Sequence, residues 1–586
     1  MSGLESLLTE RLRAAFAAVA GEPVDPIVRR SPRADFQANG ALGLAKRLGR
    51  PPREVAAEVV AEAEKGGLRE LVADVEVAGP GFLNLTLADG ALGDLASTLV
   101  GDERLGVAPA ASDEADVVVV DYSAPNAAKE MHVGHLRSTI IGDAVVRLLE
   151  WRGHTVIRQN HIGEWGTPFG MLIEHLLDIG EAEAAAELSV GDLNGFYKAA
   201  RQKFDADEAF QERSRARVVL LQGGDEATLR LWDLLVEQSK QYFLAVYDRL
   251  DVRLDRDDFA GESIYNDQLS ATADELSRLG LLREDEGAQC VFPDGFRGRD
   301  GDPLPMIVVK SDGGFGYDTT DLAALRYRTH DLKATRLLYV VGAPQQLHLQ
   351  MLFEVGREAG WLSRSGDPAD GPRAEHVSFG SVLGADGKIL RTRAGASIKL
   401  SELLDEAVTR AAAEVASRNP DLPAAEAAEV ADAVGIGAVK YADLSTDRNK
   451  DYVFDYGRML AFDGNTAPYL QYAHTRIQSI FRRAEVVPEA CTGPVVITEP
   501  AERELAIELL SLADVLSDVE RNLELHRLAH YLYGVATAFT SFYEHCPVLR
   551  AEDEELRASR LALCALTAHT LSLGLSLIGI ETPPRM

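Results

Sequence analysis

Cysteine is scarce in this chain: four in 586 residues, at Cys290, Cys491, Cys546 and Cys564. None forms a CxxC pair, which excludes a dense disulfide framework and argues against an all-cysteine zinc site. A reducing, cytoplasmic compartment is expected. Basic residues are also in deficit. Sixty Lys+Arg stand against 92 Asp+Glu, a formal net charge of −32. This excludes a uniformly basic nucleic-acid coat and an anionic-membrane binder, while leaving room for local basic strips that hold phosphate. Long apolar runs are nearly missing. Residues 1–20 carry Glu5, Glu10, Arg11 and Arg13 where a secretory leader has its apolar core. Leu561–Ile580 lacks formal charge over the length of a membrane span. Thr567, His569, Thr570, Ser572 and Ser576 interrupt it, however, and Gly574 and Gly579 lie in its second half. It reads as a buried helix, and no membrane partner is expected.

What is present is globular: 46% hydrophobic and 26% charged residues, in a length that suits about four domain-sized units. Residues 1–105 read as a small α+β domain. Leu4–Ala20 and Pro51–Glu64 are helical, and Val72–Val77 and Phe82–Leu87 alternate around Gly79-Pro80-Gly81 as a strand pair. A linker follows. Asp116–Tyr122 is then a continuous apolar run, the mark of a strand buried on both faces of a parallel sheet. A loop, a helix from about His132 to Arg152, a stop at Gly153 and a strand at Thr155–Gln159 complete a βαβ unit. A helical insertion is expected at about 171–250, and further strands near Met306–Lys310, Arg336–Val341 and His376–Val382. Leu400–Ala416 is helical. The chain beyond about 445 reads as almost wholly helical, with a break at Pro488–Pro500. The fold class expected is multidomain α/β: a domain over 115–400, flanked by the 1–105 domain and a helical 401–586. No internal repeat is visible.

The densest chemistry is Asn126-Ala-Ala-Lys129-Glu-Met-His132-Val-Gly134-His135, placed at the C-terminal end of the buried strand, where open α/β sheets bind ligands. A helix N-terminus there offers free N–H groups to phosphate, Gly134 allows close approach, and Lys129, His132 and His135 add donors. The competing readings are ordinary caps or a zinc pair, and no third ligand cluster accompanies the histidines.

His132-Val-Gly134-His135 resembles the HIGH signature of class I aminoacyl-tRNA synthetases, and the string Ser123–Thr139 resembles the arginyl-tRNA synthetase form of it. Asn160-His-Ile-Gly-Glu-Trp-Gly166 resembles that family's next block, with Glu164 where Asp is usual. Gly261-Glu262-Ser263-Ile-Tyr265, Tyr317-Asp-Thr-Thr-Asp321 and Val341-Gly-Ala-Pro-Gln345-Gln-Leu-His348 follow in the family's order. Gly387-Lys388-Ile-Leu-Arg391-Thr392-Arg393-Ala-Gly395 resembles its degenerate KMSKS loop, Asn465–Tyr472 the start of its anticodon-binding helices, and Phe36–Asn39 and Ala78–Asn84 its appended domain. The tail Pro583–Met586 resembles the family's ending.

The resemblance implies an arginine–tRNA ligase with a Rossmann-like catalytic domain, an appended N-terminal tRNA-contacting domain and an α-helical anticodon-binding bundle. Its substrates would be arginine, ATP with Mg²⁺, and tRNA(Arg), with no structural zinc, and the chain would act as a monomer. Lys129, His132, His135, Lys388, Arg391 and Arg393 would be catalytic. Pro125, Asn126, Gly134 and Thr392 would join Lys129, His132, His135 and Lys388 around ATP. Arginine would be held by Glu262, Tyr317 and Asp321 at the guanidinium, and by Asp121, Ser123, Asn126 and Gln345 at the other end. A guanidinium has five donors in a fixed fork, which paired carboxylates satisfy. Gln37, Asn39, Tyr469, Tyr472, Arg476 and Met586 would touch tRNA. Plainer roles stand beside these. Asp321 would N-cap a helix, Lys129 would pair with Glu130, the tyrosines would be core, and Gln37 and Asn39 would cap turns. The alternatives are another class I synthetase, a small HxGH nucleotidylyltransferase, and a non-catalytic tRNA-binding paralogue.

Overall fold

The computed structural model describes residues 3–112, 114–180, 193–391 and 398–586. The chain divides into two compact units: Met1–Pro109 with Arg410–Ser445 and Gly457–Met586, and Ala110–Thr409 with Thr446–Tyr456.

The second unit is built on a parallel sheet ordered Arg373–His376, Arg336–Tyr339, Val117–Asp121, Thr155–Gln159. The apolar run is thus the inner strand, with Asp121 in register with Tyr339 on one side and Gln159 on the other. The helix Val133–Arg152 returns the chain from that strand to its neighbour. Its residues from Leu136 to Leu149 are all buried, and Gly153 ends it in a left-handed conformation (φ 96°). The expected insertion is present as the helices Thr167–Ile179, Leu193–Ala206, Glu208–Gln222 and Glu226–Arg249.

Of the later strands, Met306–Val309 lies where expected and belongs to a separate antiparallel sheet with Leu282–Asp285 and Ala288–Val291. An apolar run of four carries no information on strand direction. One needs correction: the strand expected at His376–Val382 lies earlier, at Arg373–His376, while Val382–Leu383 pairs with Tyr452–Val453.

In the first unit, the sheet is antiparallel, ordered Val28–Ser31, Ala34–Ala38, Phe82–Leu87, Val72–Ala78. The expected pair is its second half. Helix Leu4–Ala20 has no cap of its own at Gly3. Asp514, from the helix Leu512–Asn522, supplies one through the amides of Glu5 (2.8 Å) and Ser6 (3.2 Å). Arg503 adds a second tie, with Asp35 at 2.7 and 2.6 Å and Asp89 at 2.8 Å. Glu554–Leu577 is long and apolar enough to span a membrane. It packs instead inside the helical bundle, with residues such as Leu563, Cys564, Leu571 and Leu575 fully buried.

Candidate active site

Backbone hydrogen bonds stitch three sequence-distant motifs into one ribbon beyond the inner strand. Gly163 N–H donates to Pro125 O (3.2 Å) and Ala127 N–H to Gly163 O (2.9 Å). On its other edge the block containing His161 pairs with the segment leading to Glu262: Asn160 N–H to Asp258 O (2.8 Å), Ala260 N–H to Asn160 O (3.0 Å), and Glu262 N–H to Ile162 O (3.3 Å). Gly261 is needed here, because a Cβ would stand 2.0 Å from the Glu164 carboxylate. The longer acid at 164 is accommodated by a neighbour with no side chain.

The loop after the strand is strained. Ser123, Ala124 and Ala128 have φ of 69°, 46° and 59°, the left-handed region that costs residues with a Cβ about 1–3 kcal/mol each. Each is clamped by a side chain from another element. Ser123 N–H donates to Ser138 Oγ (2.9 Å), Ala124 N–H to Asn160 Oδ1 (3.0 Å) and Ala128 N–H to Ser239 Oγ (2.8 Å). The Ser123 hydroxyl is itself buried between Thr139 Oγ1 (2.9 Å) and Tyr247 Oη (2.8 Å). Pro125 is buried at the ribbon, and Asn126 is exposed.

The signature histidines cap the helix reciprocally. His132 Nδ1 accepts from Gly134 N–H (3.0 Å), and His135 Nδ1 accepts from His132 N–H (3.1 Å). The rings stack at 4.1 Å. Gly134 serves this stack, since a Cβ there would lie 2.7 Å from the His132 ring. Burial and the Lys129 charge lower the His132 pKa; burial, His132 and Lys129 push His135 down to about 3. Both rings are therefore neutral near pH 7. With both Nδ1 atoms accepting, both protons sit on Nε2, so each ring presents an N–H donor away from the cap.

Lys129 Nζ sits 4.5 Å over the Tyr197 ring. Its expected alternative partner, Glu130, is taken by Lys399 (2.8 Å) and Asn194 (2.9 Å). Lys399 lies four residues beyond the second signature loop, in a segment tied by backbone to the first signature: Val133 N–H to Ile398 O (3.1 Å) and Leu400 N–H to Met131 O (3.0 Å). Lys388 and Arg391 are exposed, Lys388 in a turn closed by Gly384 N–H to Lys388 O (2.7 Å). Thr392 and Arg393 lie outside the described residues.

The carboxylates gather beside the ribbon. Asp321 Oδ2 is 2.6 Å from His348 Nε2, and its Oδ1 is 3.9 Å from His161 Nε2. Glu262 accepts from Trp165 N–H (3.1 Å). Its pKa is raised by burial, against the lowering pull of His161, with Asp321 and Glu164 adding repulsion. The exposed Tyr317 ring lies 5.4 Å from His348. Asp321 is not a cap. The helix starts at Tyr317 with Gly316 as its N-cap. Asp121 is set apart from this group, buried against the fully buried Arg328 at 2.8 Å. Gln345 is exposed in the short turn Ala343–Gln345. Among the described residues no group of three or more His, Cys, Asp or Glu side chains is arranged to hold a metal ion.

Sequence reasoning left out His348, Arg328, Tyr197 and Tyr543. His348 closes a motif string that was already visible. Arg328 lies two helical turns beyond Asp321 on one face, and an acid ending a doubly buried strand requires such a cation.

In the first unit, Arg476 lies between Tyr472 (5.3 Å) and Tyr543 (5.1 Å), and Arg418 sits 4.0 Å over Phe462, whose ring is 6.5 Å from Tyr472. Tyr469 is half-buried, its hydroxyl 3.3 Å from Thr540. The tail lies along the helix Ala467–Ala484, with Gln471 on Glu581 O (2.8 Å), Thr475 on Pro583 O (3.1 Å) and Asn419 on Met586 O (3.2 Å). Gln37 does not cap a turn: it donates to Asn84 (2.7 Å), which donates to Glu76 (3.1 Å). Asn39 stands at a helix N-cap position without a side-chain cap bond.

Three family models match: tRNA synthetases class I (R), catalytic domain, over residues 94–456; the DALR anticodon binding domain over 470–586; and the arginyl tRNA synthetase N terminal domain over 3–87. The chain is 54% identical to an arginine–tRNA ligase of Thermobifida fusca and 49% identical to one of Escherichia coli, each over 100% of both chains. Among solved structures, arginyl-tRNA synthetases from Plasmodium falciparum (29% identity, TM-score 0.84) and Thermus thermophilus (26%, 0.82) each match over 100% of both chains. The capped histidine pair at the end of a parallel strand, the ribbon-linked carboxylates and these full-length matches place the chain in the arginyl-tRNA synthetase family of class I.

Proposed function

We propose that this chain is the arginine–tRNA ligase its family implies. It activates arginine with ATP to arginyl-adenylate, releasing pyrophosphate, and then passes arginine to the 3′ end of tRNA(Arg). The observation that carries this reading is the ribbon. It carries Glu262, faces Asp321 of the helix Tyr317–His330 through His161 (3.9 Å), and fixes the loop that leads into the helix whose N-terminus presents two neutral Nε2–H donors.

The arginine carboxylate is the nucleophile and is already ionised, so no general base is required. Its oxygen attacks the α-phosphorus while the bond to the pyrophosphate oxygen breaks. Positioning and electrostatics supply the catalysis. His132 and His135 donate to the nucleotide, with Gly134 and the helix N-terminus behind them and Pro125 and Asn126 at the loop. Mg²⁺ enters with ATP as part of the substrate. Lys129, Lys388 and Arg391, together with Thr392 and Arg393, meet the charge on the departing pyrophosphate. Asp321, Glu262 and Tyr317 take the guanidinium, and Asn126 and Gln345 the amino-acid end. Asp121 and Ser123 act beneath them, through Arg328 and Tyr247. The 1–105 domain, through Gln37 and Asn39, and the helical bundle, through Tyr469, Tyr472, Arg476 and Met586, contact tRNA. The enzyme works as a cytoplasmic monomer, without a membrane or a structural zinc.

An aminoacylation panel of twenty amino acids with total tRNA, ATP and Mg²⁺ tests the reading. Charging by arginine alone is expected. Charging by another amino acid, or none by arginine, refutes it.

A further inference from the structure

The helical insertion carries no motif, yet two of its side chains address the lysine loop. Asn194 and Tyr197 are one turn apart on the helix Leu193–Ala206 and so share a face. Asn194 Nδ2 donates to Glu130 Oε2 (2.9 Å), and its Oδ1 faces Glu130 N–H (3.4 Å). Tyr197 offers its ring face to Lys129 Nζ at 4.5 Å. Glu130, nearly fully buried, is neutralised by Lys399 (2.8 Å). Lys129 makes no ion pair among the described residues. Its charge reaches both signature histidines, whose pKa values it helps to lower.

A cation held by a carboxylate is compensated before substrate arrives. A cation held over an aromatic face is attracted by the ring quadrupole and keeps its full charge for an incoming oxyanion. We propose that Tyr197 is a positioning residue for adenylate formation: its ring seats the Lys129 ammonium beside His132 and His135 without neutralising it. This rests on the reading of Lys129 as catalytic. It gives part of the insertion a role in the activation step.

The test is kcat and KM, separately, for arginine- and tRNA-dependent ATP–pyrophosphate exchange in four full-length variants, with fold checked by circular dichroism. Tyr197→Phe keeps the ring and should stay within about twofold of wild type. Tyr197→Leu keeps bulk but removes the quadrupole. It should lower kcat about threefold to tenfold, with KM for ATP and arginine nearly unchanged. Lys129→Ala should lower kcat about 10²–10³-fold. In the double variant Tyr197→Leu should add nothing to Lys129→Ala, since the seat has no occupant. Wild-type kcat for Tyr197→Leu, an equal loss for Phe and Leu, or multiplying losses in the double variant overturns the seat. Wild-type rates in Lys129→Ala overturn the catalytic reading of Lys129, and the seat with it. A loss in Lys129→Ala without one in Tyr197→Leu overturns the seat alone.

Discussion

Arginine binding should depend on a proton carried by His348. Its Nε2 lies 2.6 Å from Asp321 Oδ2 and its Nδ1 3.6 Å from Asp318 Oδ1. Burial alone would lower its pKa, but the bond to Asp321 and the charges of Asp321 and Asp318 outweigh burial and raise it above 6.5. The Tyr317 ring and His161 also face the pair, and Glu262 and Tyr339 feel the charge of Asp321. On the acid side of the raised pKa, an imidazolium occupies the carboxylate that the guanidinium needs. Arginine must then displace one proton. KM for arginine should fall as pH rises from 6.5 through the raised pKa, with a limiting slope of about tenfold per unit, one proton being about 1.36 kcal/mol per pH unit. Glu262, whose pKa burial also raises, adds to the loss on the acid side. His348→Gln keeps a side-chain donor for Asp321 but does not titrate, so the slope should vanish. Asp321→Asn should raise KM at every pH. A hydrogen bond to a charged group is worth about 1.5–3 kcal/mol, and the 28% exposure of Asp321 argues for the lower half, about 13-fold to 45-fold. The assay is initial-rate aminoacylation at saturating ATP and tRNA across the pH series. A pH-independent KM in the wild type, or a wild-type slope in His348→Gln, refutes the reasoning.

Gly134→Ala places a methyl 2.7 Å from the His132 ring, so the ring must turn out of the cap; ATP–pyrophosphate exchange should fall at least tenfold, with about 1 kcal/mol of helix stability lost. Arg503→Ala removes the bidentate partner of Asp35, at a cost of about 2 kcal/mol read by thermal melting of the N-terminal α+β portion. Burial would raise the Asp35 pKa, but the Arg503 bond and the Leu87 amide set it below 3.8. That contribution is therefore present above pH 3.8 and lost as pH falls below it, and wild-type melts over that range should show it. Tyr543→Ala unstacks Arg476; KM for tRNA should rise about fivefold or more while pyrophosphate exchange at saturating tRNA holds, and an unchanged KM would remove this strip from RNA binding.

The parts of the fold that could be read from sequence are those whose pattern is local. The run ending at Asp121 announced a doubly buried strand, and Leu4–Ala20, Thr155–Gln159 and Phe82–Leu87 lie where periodicity and turn residues put them. The edge strand Arg373–His376 escaped because each of its residues is only half-buried, so polar side chains carry no penalty and no apolar run forms. The pattern points instead to His376–Val382, where Val377, Phe379 and Val382 are buried. The hairpin joining Leu282–Asp285 to Ala288–Val291 turns at Glu286 and Gly287, both at positive φ (48° and 81°), and glutamate there gives little signal. In the site, a motif named the residues but not their partners. The motif named Ser123 but gave no sign that its hydroxyl meets Thr139 and also Tyr247, more than a hundred residues away in the insertion. Single long-range contacts of this kind leave no periodicity behind.

The reciprocal cap also fixes where positive charge resides. Two imidazoles at a helix N-terminus facing a triphosphate would ordinarily be drawn toward protonation. Here burial and Lys129 lower both pKa values, His135 to about 3, and the cap leaves only Nε2 to carry a proton. Protonated histidines would attract the ground-state triphosphate as strongly as the transition state, which lowers KM without raising kcat. Neutral donors orient the nucleotide, and the formal charges stand on Lys129, Lys388 and Arg391, on segments flanking the cap. The two substrates should then respond differently to acid. Both signature histidines are shifted down from 6.5 while His348 is shifted up, so above that pH KM for ATP should slope less than KM for arginine, which slopes through His348. Measuring both constants on the same enzyme separates the effects. An acid limb in KM for ATP of similar size, persisting in His348→Gln, would mean that a histidine at the nucleotide is gaining a proton, and the reading of the pair as neutral donors would be wrong.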